Sequence, residues 1–182
     1  MCGRYFLNDR NNPYINKLVE EARKLFNSKA FSSLALEEVY PSNNALVAIY
    51  DKEKDSTRFT ILKWGLSLKN SLLINTRKEK LETPFYKDFR SCIIPASSYF
   101  EWSSSKQKYK FFIKNEPLFL AGLFKDNCFT IITEDAVSKQ KEIHHREPVI
   151  LNYEDAKKWC KTKDINIVNN KSILEREIER AD

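Results

Sequence analysis

One stretch near the start of the chain carries apolar residues at helical spacing. Within 12–26, Ile15, Leu18, Val19, Ala22, Leu25 and Phe26 fall on one face of a 3.6-residue repeat. Asn12 offers an N-cap acceptor, and Pro13 stands at the first helical position, where a missing N–H costs nothing. Beyond this helix the pattern changes to short apolar and aromatic runs: ALVAIY (45–50), TRFTILKW (57–64), SLLIN (71–75), SYFEW (98–102), YKFFIK (109–114), LFLAGLF (118–124) and CFTIIT (128–133). Clusters of Asn, Asp, Lys, Ser and Pro separate them, so each reads as a strand. KDNC (125–128) and SSSKQK (103–108) read as hairpin connections. Asn152 is placed to cap a short helix through Trp159, and SILEREIERA (172–181) reads as an amphipathic terminal helix. The pattern predicts an α+β fold, a mixed and mostly antiparallel sheet curled towards a barrel with flanking helices. No repeat or linker interrupts it, so residues 1–182 are read as a single domain.

Composition narrows the class without naming a function. Hydrophobic residues make up 42% and charged residues 31%, too apolar for a disordered chain. No apolar run approaches the roughly 18 residues of a membrane span, and MCGRYFLNDR lacks the apolar core of a signal peptide. A cytoplasmic protein with no membrane partner is expected, as a monomer. The formal charge of +6 is spread along the chain with no polybasic tail, which permits a nucleic-acid partner and equally suits a solvated basic surface. Cys2, Cys92, Cys128 and Cys160 lie far apart with no C-x-x-C pair, so neither a disulfide framework nor a zinc site is predicted. At least three of them read as buried apolar residues, and no cofactor is expected.

Cys2 differs from the others by its position. An initiator methionine is generally removed ahead of a small residue, which would leave Cys2 as a free 1,2-aminothiol. An α-amine titrates at roughly 7.7–8.0, so a useful fraction is nucleophilic at neutral pH and attacks aldehydes to give an imine. The thiol of the same residue then closes on the imine carbon to form a five-membered thiazolidine, favoured by its intramolecular geometry. Taken alone, a cysteine at this position is more often incidental.

Four dispersed motifs change that balance. MCGRY at the start, IN-T-R-x-E at 74–79, IIPASSYFEW at 93–102 and IHHREPVIL at 143–151 occur in this order, with a weaker VNN at 168–170. Together they resemble the SOS-response-associated peptidase (SRAP) family, whose members shield abasic sites in single-stranded DNA by cross-linking to them through the terminal cysteine. The resemblance implies Cys2 as nucleophile, with Asn75, Glu101 and His144 as the polar residues around it. It implies Arg77 and Arg146 as phosphate contacts, and Arg4 and Trp64 complete the expected DNA-facing set. The implied partner is single-stranded DNA containing abasic sites, in a bacterial or phage-type setting.

Each residue can also be weighed by its own chemistry. Glu101 lies between Phe100 and Trp102 in a strand, so it points away from both. Buried there, its carboxyl would titrate high and pass protons during sugar ring opening and imine formation; the bland reading is a solvent-facing glutamate. His144 sits at a loop-to-strand junction and titrates near neutrality, while adjacent His145, where the family more often has an acidic residue, reads as surface. Alternate side chains on an extended segment point apart, which argues against a metal at the His144–His145 pair. Asn75 offers an amide to the α-amine or the sugar, against the commoner role of a turn former. Arg77 and Arg146 offer planar forks for phosphate, against the commoner role of surface ion pairing.

Two departures from the family pattern stand out. WGLSLKN after position 63 lacks the proline and second tryptophan of the family's W-G-x-x-P segment, which predicts weaker base stacking, worth roughly 1–3 kcal/mol per base. Ser97 and Ser98 replace a polar residue and a glycine, a change expected to alter loop geometry. Two other functions use the same residues. A thiol peptidase or autopeptidase would take Cys2 as nucleophile and His144 as base, and a non-catalytic module would bind single strands in a salt-sensitive way without a covalent product.

Overall fold

A computed structural model of the chain describes residues 2–8, 12–137, 139–170 and 174–181. The helix read from the apolar stripe is α1 (Pro13–Leu25), started by Asn12, whose Oδ1 accepts from the N–H groups of Tyr14 and Ile15. Ile15, Val19 and Ala22 face the core, whereas Leu25 at the far end of the stripe is exposed. The remaining elements in chain order are α2 (Ser28–Ser32), β3 (Asn44–Asp51), β4 (Ser56–Trp64), β5 (Leu66–Leu68), β6 (Ser71–Leu73), β7 (Asn75–Arg77), β8 (Arg90–Ala96), β9 (Ser98–Trp102), β10 (Lys108–Phe112), β11 (Leu118–Lys125), β12 (Cys128–Asp135), α3 (Gln140–Ile143), β13 (Arg146–Pro148), β14 (Ile150–Leu151), α4 (Tyr153–Thr162), α5 (Ile165–Asn169) and β15 (Glu177–Ala181), with β1 (Arg4–Phe6) before α1 and β2 (Glu38–Val39) after α2.

The larger sheet closes on itself. β3 pairs with β4 and β8, β8 with β11, and β11 with β12, all antiparallel, and β12 returns to β4 in parallel through Cys128↔Lys63 and Phe129↔Trp64. Closure leaves no open edge in this ring, which is how a mixed sheet avoids pairing with other chains. β7 and β13 continue along β12 beyond the contact with β4. The expected curling towards a barrel is therefore present.

A second, antiparallel sheet runs in the order β15-β10-β9-β1-β2. The chain passes between the sheets at Ser97, whose N–H and Oγ both donate to the Phe6 carbonyl, at 2.8 and 3.2 Å. The altered Ser97–Ser98 pair is thus the corner where one sheet hands the chain to the other. Cys2, Tyr5, Trp64, Ile94, Tyr99 and Phe129 belong to one apolar cluster, and a second gathers Ile93, Leu123 and Trp159 beneath α4. Trp159 is anchored by its indole N–H, which lies 3.2 Å from the carbonyls of both Cys92 and Gly122.

Three readings are corrected. The segment 172–181 is not a terminal helix: Ser172 and Ile173 lie outside the described residues, and 177–181 form β15, paired Glu177↔Phe112 through Ala181↔Lys108. Pairing with the otherwise unfilled edge of β10 outweighs the helix propensity of the Glu and Arg residues. SLLIN is two strands, β6 and β7, divided at Ile74. β1 and β8 were not read as strands at all.

The interior of the ring sets a steric limit at Gly122. A Cβ there would lie 2.5 Å from Ile94 Cδ1 and 2.9 Å from both Cys92 Sγ and the Thr130 carbonyl. Because one of these neighbours is backbone in the adjacent strand, Gly122→Ala should cost about 1–3 kcal/mol. Urea unfolding measures this; an unchanged midpoint would show that the ring does not pack against that position.

Candidate functional site

Cys2 is fully buried at the head of β1. The ladder explains how a residue so close to the terminus is held: Arg4, Tyr5 and Phe6 pair with Phe100, Tyr99 and Ser98 on one side, and Tyr5 and Phe6 pair with Val39 and Glu38 on the other. The register lays Cys2 beside the Glu101 end of β9. From the other sheet, Asn75 Nδ2 donates to the Cys2 carbonyl at 2.8 Å. Asn75 is placed by the parallel pairing of β7 with β12, Asn75↔Ile131, and its buried Oδ1 meets no hydrogen-bond partner among the described residues.

Glu101 is 3% exposed, so the solvent-facing reading does not hold. It shares its strand face with fully buried Tyr99. Burial pushes its carboxyl up to about 7, against the opposing pull of the amino-terminal positive charge. The Cys2 thiol is pushed far above the usual thiol range, first by burial and then by the charge of Glu101. Its Sγ lies 3.8 Å from the Arg4 carbonyl. A thiol in this setting stays protonated at neutral pH and is a poor attacking thiolate.

His144 is half-buried at the C-terminal end of α3. The Arg146 N–H donates to its Nδ1 at 3.0 Å. Burial lowers its pKa, and the amino-terminal positive charge lowers it further. The two histidine rings do not point apart as expected: they stack with centroids 4.5 Å apart, because the backbone bends at His145. Among the described residues no group of three His, Cys, Asp or Glu gathers as metal ligands would.

The four residues predicted for DNA contact divide. Arg77 is exposed, two residues beyond Asn75 and so on the same face of β7. Arg4 is part-exposed, bonded to Glu38 at 3.2 Å and set over the rings of Tyr40 and Trp102. Arg146 does not offer the free fork that was expected. Its guanidinium is buried, bidentate to Glu79 at 3.2 and 3.1 Å, with further bonds of 2.6 Å to Asp135 and to the Thr133 carbonyl. The bond explains the last letter of IN-T-R-x-E, since Glu79 joins that motif to IHHREPVIL. Trp64 is corrected outright as a stacking platform: it is fully buried, parallel to Phe129 at 6.2 Å, and its indole N–H donates to the Ile74 carbonyl at 2.9 Å. It braces the residue before Asn75. Gly65, with φ of +104°, lets the chain leave the core directly after it.

Sequence reasoning missed Tyr99, Glu147 and Arg176, which are buried next to this group. The available signal for Glu147 was an acidic residue standing directly before the apolar run PVIL (148–151). A cavity of about 670 Å³ lies elsewhere, against α4 and lined by Tyr50, Phe119 and Tyr153, and none of Cys2, Asn75, Glu101 or His144 reaches it.

Comparison with known proteins bears on the family and the fold. Residues 1–180 match the family described as SOS response associated peptidase (SRAP). The abasic site processing protein YoaM of Bacillus subtilis is 32% identical over 162 residues, covering 75% of this chain and 70% of the relative. YobE of the same organism, of the same description, is 34% identical over 162 residues, covering 75% and 73%. A phage-related protein of Bordetella bronchiseptica has the same fold, with a TM-score of 0.73 at 22% identity over 99% of this chain and 94% of its own. A Bacteroides thetaiotaomicron protein follows at a TM-score of 0.70 and 18% identity, covering 98% and 91%.

The position of Glu101 has a consequence for stability. Its folded pKa of about 7 lies above its ordinary 4.5, so the unfolded chain ionises it first as pH rises. The stability contributed by the neutral carboxyl is present below about 4.5 and is lost as pH rises towards about 7. Relative to Glu101→Gln, the wild type should weaken on the order of a few kcal/mol across that window. Urea unfolding at a series of pH values gives the difference; parallel curves would show an unperturbed carboxyl.

Proposed function

This chain belongs to the SOS response associated peptidase (SRAP) family, and from that premise we propose that it processes abasic sites in single-stranded DNA by covalent capture through Cys2. The observation that carries this reading is the pairing of the buried Cys2 thiol, held protonated, with the Glu101 carboxyl poised near neutrality on the neighbouring strand. It suits a reaction in which an amine attacks first and a thiol second.

Once Met1 is removed, the amine of Cys2 adds to the aldehyde carbon of the ring-opened sugar. The hydroxyl so formed leaves as water after protonation by Glu101, which gives the protonated imine and a carboxylate. The thiol then adds to the imine carbon, its proton passing to Glu101 and the imine nitrogen ending as the ring amine of a thiazolidine. One water is lost overall and Glu101 is regenerated, as general acid–base work requires of a group that titrates near the working pH. Asn75, already bonded to the Cys2 backbone, fixes the nucleophile, and His144 holds the sugar oxygen released by ring opening. Arg77 is the cation available to the flanking phosphates. Arg4, two residues from the nucleophile, adds charge at the same end of β1. A thiol peptidase is the weaker reading, since it needs a thiolate and the surroundings of Cys2 disfavour one.

Mature protein incubated with a single-stranded oligonucleotide bearing one abasic site should yield a shifted band that survives denaturation. Cys2→Ala, or residues added ahead of Cys2, should abolish it. Cys2→Ser should leave an imine that is retained only after borohydride reduction. A stable band in Cys2→Ala would sink the mechanism.

Arg77→Ala is expected to weaken non-covalent binding without changing sequence preference. Measured in the Cys2→Ala background, the slope of log K against log salt should fall by about 0.7 for one lost phosphate contact on a single strand. An unchanged slope would remove Arg77 from the DNA-facing set.

A further inference from the structure

Directly before β15, the Arg176 side chain is 2% exposed, and its partner Glu147 is 1% exposed. Arg176 Nη2 lies 3.0 Å from each carboxylate oxygen of Glu147. Its Nε donates to the Gln140 side-chain oxygen at 2.9 Å, in the amide orientation that also lets Gln140 donate to the Val137 carbonyl at 2.8 Å. Gln140 opens α3 and Glu147 lies on β13. Between them stands His144, whose N–H donates to the Gln140 carbonyl at 2.9 Å and whose ring is held by the Arg146 N–H. One guanidinium therefore grips both flanks of the segment that carries His144. Its charge also reaches the buried hydroxyl of Tyr99, on the strand face of Glu101.

Stability alone is a weak reason for such a pair. Desolvating two charges offsets much of their attraction, and well-packed apolar residues of similar volume often do as well. What a buried fork provides that apolar residues do not is direction, since its donors fix two acceptors at set angles.

We propose that Arg176 is a positioning residue for His144, and that the C-terminal stretch is thereby part of the reactive site; this rests on the participation of His144 proposed above. Its grip on Gln140 and Glu147 sets the place of the imidazole relative to Cys2 and Glu101. Arg176 touches neither the sugar nor the nucleophile.

Arg176→Met keeps the length of the side chain and removes the fork, and Arg176→Lys keeps the charge and removes the fork. Three quantities are read for each: the melting temperature, the NMR titration of the His144 ring in DNA-free protein with His145→Asn used for assignment, and the rate of adduct formation. Arg176→Met should slow adduct formation about tenfold, move the His144 titration midpoint, and slow the reaction no further in a His144→Ala background. Arg176→Lys should restore melting more fully than it restores the rate. An unmoved His144 titration in a variant with native-like melting overturns the proposal, as do independent, multiplying effects of the Arg176 and His144 changes. If Arg176→Met does not fold, the titration in Arg176→Lys decides by the same criterion. If wild-type protein forms no adduct, the proposed function fails, while the DNA-free titration still decides whether Arg176 positions His144.

Discussion

Everything at the site depends on the three-residue strand β1 being held on both edges. A chain terminus is ordinarily the least ordered part of a domain. Here Tyr5 pairs with Tyr99 on one side and Val39 on the other, and its side chain is buried between the two sheets. That ladder carries Cys2 into the interior and fixes its distance from β9. A slip of one residue would turn Tyr99 and Glu101 to the opposite face, since strand side chains alternate. The register is therefore chemical as well as structural: it decides whether the carboxyl and the thiol share a space.

The larger, closed sheet completes the site from a different direction. Asn75 rides on β7, which is placed by β12 of the closed ring, with Trp64 holding the carbonyl just ahead of it. His144 comes from the loop between α3 and β13, which is also built on β12. The two sheets meet at Ser97, whose bonds to Phe6 tie the crossing point to the end of β1. Motifs far apart in sequence converge because the ring and the smaller sheet share this corner.

Much of this was legible in the sequence and some was not, for reasons that differ by residue. Asn12 and Pro13 announced α1, and short apolar runs bounded by turn residues announced β3, β4 and β9 through β12, because those features act locally. β15 was unreadable for the opposite reason: Glu177 to Ala181 carry helical propensity, and the edge of β10 that overrides it lies far away in sequence. Trp64 was misread because an aromatic residue looks the same in sequence whether it braces a core or faces a ligand. Arg146 was misread because its partner Glu79 sits in another motif. An exposed and an ion-paired guanidinium differ only in what the fold brings beside them: Arg77 is exposed, whereas Arg146 is bound to Glu79 and Asp135.

Burial of Cys2 bears on when the site becomes reactive. While Met1 remains, the Cys2 nitrogen belongs to a peptide bond and is not a nucleophile. The thiol beside it is held protonated by burial and by Glu101, so it does not attack in place of the amine. On the proposed chemistry, removal of Met1 supplies the amine, and imine formation then turns the step required of the thiol from attack on an arbitrary electrophile into closure on an adjacent carbon. Intramolecular closure tolerates a weakly acidic thiol because the effective concentration of the imine is so high. A low-pKa cysteine would react faster with every oxidant and electrophile in its surroundings. The burial that makes Cys2 a poor general nucleophile is thus consistent with selectivity for an aldehyde delivered to its own amine.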